Sequence, residues 1–185
     1  LRGEVAPIAI GKRVNVQDNC VIHCAKDLPT LVRALQVGGF RPPSYALMKG
    51  RSNYLCQARH DAWMNQGYNL TEKDAADAVA SWRSQTLSGD VETLPVGSPR
   101  FWPDIASDGD DCHRKSCPYA QDCFYFTAKD SAIAADILVV NHHLLWANLA
   151  SGGAVFPMQD RALILDEAHN IEKSMMDAFG VQVTR

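Results

Sequence analysis

Three cysteines fall within twelve residues of this chain, Cys112, Cys117 and Cys123 in DCHRKSCPYAQDCFYF, and a fourth, Cys56, stands far upstream in GRSNYLC. Thiols set this closely amid Asp, His, Arg and Lys are a poor match for core packing. A compact trio plus one distant ligand is a common way to supply four thiolates to an iron–sulfur cluster. Four thiolates also suit a structural zinc ion, although zinc ribbons usually carry paired C-x2-C knuckles and this chain has none. Cysteines buried as small hydrophobes are the third reading. The start, Leu1-Arg2-Gly3-Glu4, has no secretory apolar region, so the expectation is a cytoplasmic chain whose thiols are not paired as disulfides.

A second motif lies near the C-terminus. Leu163-Ile164-Leu165-Asp166-Glu167-Ala168-His169 reads as an apolar strand ending in two acids, a small residue and a histidine. Such a strand delivers Asp166 to its C-terminal edge, where a carboxylate holds Mg²⁺ through water. It sets Glu167 beside it to orient and deprotonate an attacking water. His169 would pass the nucleotide state on to a nucleic-acid site. The bland alternative is an acidic cap at a helix N-terminus.

Elsewhere the chain alternates in texture. KDLPTLVRALQ predicts a helix begun near Pro29 with Leu31, Val32 and Leu35 on one face, closed by Gly38-Gly39. YALMKGRSNYLC predicts a strand and loop. Thr71 is expected to cap a helix through Trp82 whose core face is Ala75, Ala78, Val79 and Trp82. Leu87 to Asp111, punctuated by Gly, Pro, Ser and Asp, reads as a loop leading to a helix from about Tyr119. Ile137–Val140 and Leu163–Leu165 are expected as strands of a buried parallel sheet, joined by a helix over His142–Leu149.

Composition excludes more than it selects. With 46% hydrophobic and 21% charged residues the chain is globular, and no apolar run is long enough to cross a bilayer, so no membrane partner is expected. A net charge of −3 argues against holding nucleic acid by bulk charge, though not against a local basic groove.

In order along the chain, KDLPTLVRAL, LMKGRSNYLC, the cysteine trio, ADILVVNHHLL and LILDEAHNIE resemble the DinG and YoaA branch of the XPD-like superfamily 2 helicases, over roughly residues 26–185. The resemblance implies that Cys56, Cys112, Cys117 and Cys123 ligate a [4Fe–4S] cluster and that Asp166, Glu167 and His169 belong to helicase motif II. It implies an α/β fold: a partial RecA-like parallel sheet over 26–44 and 131–185, and a mainly helical cluster insertion over 45–130. The implied work is ATP-driven, Mg²⁺-dependent 5′-to-3′ translocation on single-stranded DNA and unwinding of forked duplexes in replication stress or repair. Lys49, Arg51, Arg59, Arg114 and Lys115 are then candidates to meet phosphates, and Tyr54, Trp63 and Tyr125 to stack on bases. A non-enzymatic, metal-stabilised single-stranded DNA-binding module is the alternative.

Such a motor cradles phosphates with G-x-x-x-x-G-K-[ST], and these 185 residues contain no such loop; Gly11-Lys12 is followed by Arg13 and preceded by Ala6 at the first Gly position. Little or no ATP hydrolysis is therefore expected. Residues 1–25 resemble instead a γ-class carbonic anhydrase fragment, a β-helix of hexapeptide repeats, with short β segments around Ile8 and Ile10. That likeness implies roles for Arg2, Gln17 and Asp18 and zinc ligation by His23, while Glu4 departs from the usual Asp. Cys20 and Cys24 are read as bystanders. Two coils cannot bury a core alone, so this segment is expected to attach loosely at most.

Overall fold

A computed structural model describes residues 8–10, 28–159 and 161–179. In chain order the elements are β1 (Ile8–Ile10), α1 (Leu28–Val37), β2 (Tyr45–Met48), α2 (Gln57–Gln66), α3 (Lys73–Arg83), α4 (Trp102–Ile105), α5 (Phe124–Ala134), β3 (Ile137–Val140), α6 (His142–Ala150), β4 (Ala162–Ile164) and α7 (Ile171–Phe179), with short 3₁₀ turns between them. The chain divides into two compact units, one of residues 1–49 and 129–185, the other of residues 50–128. No described helix is long and apolar enough to cross a membrane.

The first unit is a mixed α/β arrangement around a four-stranded sheet of order β2-β3-β1-β4. β2 and β3 run parallel, with Tyr45 opposite Ile137 and Met48 opposite Val140. Their register is fixed where both strands begin. The Ser44 N–H and hydroxyl each donate to Asp136 Oδ2 at 2.8 Å, and the Asp136 N–H donates back to Ser44 Oγ at 2.9 Å. β3 is buried along its whole length, as a continuous apolar run requires.

The two apolar strands expected in a parallel sheet do not pair with each other directly. β1 lies between β3 and β4 and is antiparallel to both, pairing Ile8 with Val139 and with Ile164. β3 and β4 still point the same way. The intervening strand satisfies a row of backbone groups on each of them, groups that are costly to leave unpaired in a sheet interior. β4 is an edge strand and correspondingly exposed, with Leu163 41% accessible, where the sequence had predicted burial. Of the segment likened to a β-helix only Ile8–Ile10 is described, and it is a strand of this sheet; Arg2, Glu4, Gln17, Asp18, Cys20, His23 and Cys24 lie outside the described residues.

The second unit gathers Leu55, Val79, Trp82, Leu94, Phe101, Trp102 and Ile105 into one core. Each such side chain stabilises by about 1.5–3 kcal/mol on burial. Both tryptophans find partners for their N–H groups, Trp82 at Thr93 Oγ1 (3.2 Å) and Trp102 at the Ser52 carbonyl (2.8 Å). The stretch from Leu87 to Asp111, read as a loop, thus supplies five buried hydrophobic residues: Leu94, Phe101, Trp102, Ile105 and Ala106. The α3 face also shifts, since Ala76, Val79 and Trp82 are buried whereas Ala78 is only half-buried. Its entry is capped by Asn69, whose capping box with Glu72 forms on a 3₁₀ turn that already contains Thr71. The helix expected from Tyr119 starts at Phe124, because Tyr119 to Cys123 form tight turns.

One glycine is required by this core. Gly89 has φ +63°, and a Cβ there would stand 2.2 Å from Cγ of Phe124, the residue directly after Cys123. Gly89→Ala combines a clash with a left-handed backbone, and is expected to destabilise this unit by about 2–4 kcal/mol in urea unfolding followed by far-UV circular dichroism.

Candidate functional site

Short β bridges deliver Cys56 to its place. The Leu55 N–H donates to the Gly89 carbonyl at 2.8 Å, the Cys56 N–H to the Ile105 carbonyl at 2.9 Å, and the Ser107 N–H to the Tyr54 carbonyl at 2.7 Å. Cys56 is then the N-cap residue of α2, its carbonyl accepting from the His60 N–H at 2.9 Å. Cys123 stands in the same relation to α5, with its carbonyl accepting from the Thr127 N–H at 2.9 Å. Cys117 closes a 3₁₀ turn over Arg114–Ser116, and Cys112 lies in the turn before it.

All four cysteines line one cavity of about 440 Å³, together with Arg59, Asp108, Asp110, Asp111, His113 and Phe126 among others. All four are free thiols and half-buried. Burial pushes the Cys56 thiol above its ordinary range, the Arg59 and Ala58 N–H groups at the start of α2 act in the opposite direction, and the neighbouring Cys123 and Cys117 raise it further. A cluster of thiols with no positive centre resists ionisation; a bound cation reverses that balance. Among the described residues no three His, Cys, Asp or Glu side chains are gathered closely enough to hold one metal ion.

The basic and aromatic candidates divide into two groups. Tyr54 is 3% exposed and Tyr125 6%, and they meet edge-on at 5.9 Å, so neither presents a free face to a base. Trp63 is stacked with Phe101 at 4.3 Å and with Tyr68 at 5.2 Å, which commits it to the unit's own packing. Arg51 lies 4.0 Å over the Tyr125 ring and donates to the Asp108 carbonyl at 3.1 Å. Arg59 spends its guanidinium on the carbonyls of Asp104 and Pro103, both at 3.0 Å, and on Asp111 Oδ2 at 2.8 Å. Tyr54, Tyr125, Arg51 and Arg59, candidates for DNA contact in the sequence, thus each make contacts within the unit around the cavity. Arg114 and Lys115 are exposed, Arg114 on the cavity lining, and Lys49 is half-buried in the other unit.

Sequence reasoning missed a polar network beside the thiols. Asp61 accepts from the Arg83 guanidinium and from the Tyr119 hydroxyl; the hydrogen bond from Arg83 is the chief reason its carboxyl is held below the usual range. His60, 3% exposed, sets Nδ1 2.8 Å from Arg83 Nη1, and burial pushes its pKa down. A helix with Gln, Arg, His and Asp where an apolar stripe belongs was the available signal.

In the first unit Asp166 and Glu167 follow β4 after Leu165, and Ala168–Asn170 form a 3₁₀ turn leading into α7. Glu167 has left-handed backbone, φ 48° and ψ 49°, and its N–H donates to Asp166 Oδ1 at 2.9 Å. Its exposed carboxylate lies 3.2 Å from His169 Nδ1. The structure thus brings the three DEAH side chains onto one turn. A glutamate in this conformation stores of order 1–2 kcal/mol of strain, which concentrates at functional turns.

Residues 101–185 match the DEAD_2 family, a span that takes in the cysteine trio and the DEAH turn and leaves Cys56 outside. The ATP-dependent DNA helicase YoaA of Escherichia coli is 37% identical over 164 residues, covering 84% of this chain and 25% of that protein. YoaA of Haemophilus influenzae is 34% identical over 191 aligned residues, 98% of this chain and 28% of that protein, so this similarity reaches into the first two dozen residues. The ATP-dependent helicase DinG of Mycobacterium tuberculosis is 31% identical over 176 residues, 86% of this chain and 26% of that protein. These similarities support a DinG-like helicase segment. The chain spans about a quarter of the length of these curated relatives.

Glu167→Gly removes the left-handed strain, and Glu167→Gln keeps it. The glycine variant is expected to be more stable than the glutamine variant by about 1 kcal/mol in thermal unfolding, and equal stability would show that the turn carries no strain.

Proposed function

We propose that this chain is part of the motor of an ATP-dependent DNA helicase, in which Cys56, Cys112, Cys117 and Cys123 hold a [4Fe–4S] cluster. In this reading residues 45–130 are a cluster domain inserted into a RecA-like domain built from 26–44 and 131–185. The observation that carries it is that Cys56, 56 residues before Cys112 in sequence, lines the same cavity as the loop trio. A cavity of about 440 Å³ suits a polynuclear centre in which each thiolate meets its own iron. A zinc ion would need all four sulfurs ~2.3 Å from one point. The cluster, when bound, supplies a covalent cross-link among four segments of the chain.

Asp166 is the residue to hold Mg²⁺ through water and Glu167 the residue to orient and deprotonate the attacking water, with His169 fixing the Glu167 carboxylate at 3.2 Å. With no phosphate-cradling loop among them, these 185 residues hydrolyse little or no ATP by themselves. The substrates of the motor are ATP, single-stranded DNA and forked duplexes, with translocation 5′ to 3′. The names of the relatives, ATP-dependent DNA helicases, support the DNA and ATP parts of this reading.

Anaerobic purification with iron, sulfide and zinc analysis tests the centre. Roughly four irons per chain and a broad visible band, both lost in Cys117→Ser, are expected. One zinc and no colour would overturn the cluster and leave a structural thiolate module.

Arg114 and Lys115, exposed beside the cavity, are the cations to meet phosphates. Fluorescence anisotropy with a fluorescent oligodeoxythymidine is expected to show salt-dependent binding. Replacing both by Ala should flatten the log–log salt slope by about 1.4, near 0.7 for each lost phosphate contact. An unchanged slope would place the DNA elsewhere.

A further inference from the structure

We propose that α2 is a template that tethers each loop cysteine separately, and that Asp61, Gln57 and Arg59 are positioning residues for the cluster; this rests on the cluster reading above. The three side chains lie within five residues of Cys56 on one short helix. Each reaches a residue next to, or two from, a different thiol. Arg59 Nη1 bonds Asp111 Oδ2 at 2.8 Å, one residue before Cys112. Gln57 Nε2 donates to the Asp122 carbonyl at 2.8 Å, one residue before Cys123. Asp61 accepts from the Tyr119 hydroxyl, two residues after Cys117.

The tethers are braced from behind. Arg83 of α3 donates to Asp61, lies 3.5 Å from Gln57 Oε1 and stands 5.4 Å over the Tyr119 ring. Arg59 also binds the Pro103 and Asp104 carbonyls, which fixes α4 against α2. An ordinary surface helix has no need of three side chains that each bond a separate segment of one loop. The pattern is accounted for if the loop must hold its thiols in register with Cys56 before any metal arrives. Partners of this kind, which touch no metal themselves, typically change metal affinity by ~10–100-fold when removed.

The test compares the wild type with Asp61→Ala, Asp61→Asn and Tyr119→Phe, all purified anaerobically. The readouts are iron content, the rate at which the visible band decays under a ferrous chelator, and the melting temperature of the metal-free form. The expected result is loading in every variant, with decay ~10–100-fold faster in Asp61→Ala. Tyr119→Phe, which keeps the ring and removes only the hydroxyl, should decay faster with little change in metal-free melting. Asp61→Asn, retaining one acceptor oxygen, should restore part of the lifetime. Wild-type decay in Tyr119→Phe and Asp61→Asn, or acceleration that merely tracks a lower metal-free melting temperature, would overturn the template while leaving the cluster standing. A wild-type chain that holds no iron would remove the cluster reading and the template together.

Discussion

Bringing Cys56 to a loop that ends at Cys123 is the constraint on which the unit of residues 50–128 depends. The two are 67 residues apart in sequence, and closing a flexible span of that length costs of order 4 kcal/mol in chain entropy. Two or three buried side chains of the size of Leu55, Trp82 or Trp102 offset that closure term. The core is therefore placed where it does this work. It lies between the segment entering Cys56 and the segment leaving Ile105, and the backbone bonds from Cys56 and Ser107 tie the two together.

Closure alone leaves the loop itself unfixed, and this is where the basic residues go. Three arginines near the thiols are used internally: Arg51 over Tyr125, Arg59 on α4 and Asp111, Arg83 on Asp61. An arginine suits this role because its fork satisfies several carbonyls and carboxylates at once, which a lysine cannot do. A basic residue in the sequence is thus no guide to phosphate contact until its donors have been accounted for. Arg114 and Lys115, which lie outside this framework, are the ones with charge to spare.

The sequence disclosed elements wherever a single physical signal dominated. The apolar run Ile137–Val140, the Gly38-Gly39 stop after α1 and the Asn141-led helix α6 all appear where expected. It failed where two signals conflict. Phe101, Trp102 and Ile105 are core residues set in a Gly- and Pro-rich stretch, so turn chemistry concealed the burial. α2 was hidden because its inward residues mix polar with apolar: Gln57, His60 and Asp61 make bonds beside Trp63 and Met64, which pack against the core, so no periodic apolar stripe announced a helix. The convergence of the thiols was legible from their spacing and the resemblance, but the tethers were not, since they join residues as far apart as Asp61 and Tyr119. A β segment around Ile8 and Ile10 was legible, but its place between β3 and β4 was not, because a three-residue apolar segment carries no information about which edges it will join.

The DEAH turn meets a different mechanical problem. β4, which leads into it, is a short edge strand, and edge strands fix their ends poorly. The turn is steadied instead from the helices that follow β3 and the turn itself. His142, buried at the start of α6 and stacked on Trp146, faces the Asp166 backbone, which opposes the lowering of its pKa by burial and by His143. Trp146 in turn donates to Ser174 Oγ of α7 at 2.9 Å, and Ser174 donates to the Ile171 carbonyl one turn earlier. The path from Asp166 through His142 and Trp146 to Ser174 links the start of the DEAH turn to α6 and α7. A left-handed glutamate persists only where its surroundings over-determine it. The contacts made by Glu167 itself are local to the turn: its N–H donates to Asp166 Oδ1, its carbonyl accepts from the Asn170 N–H at 2.9 Å, and its carboxylate lies 3.2 Å from His169 Nδ1.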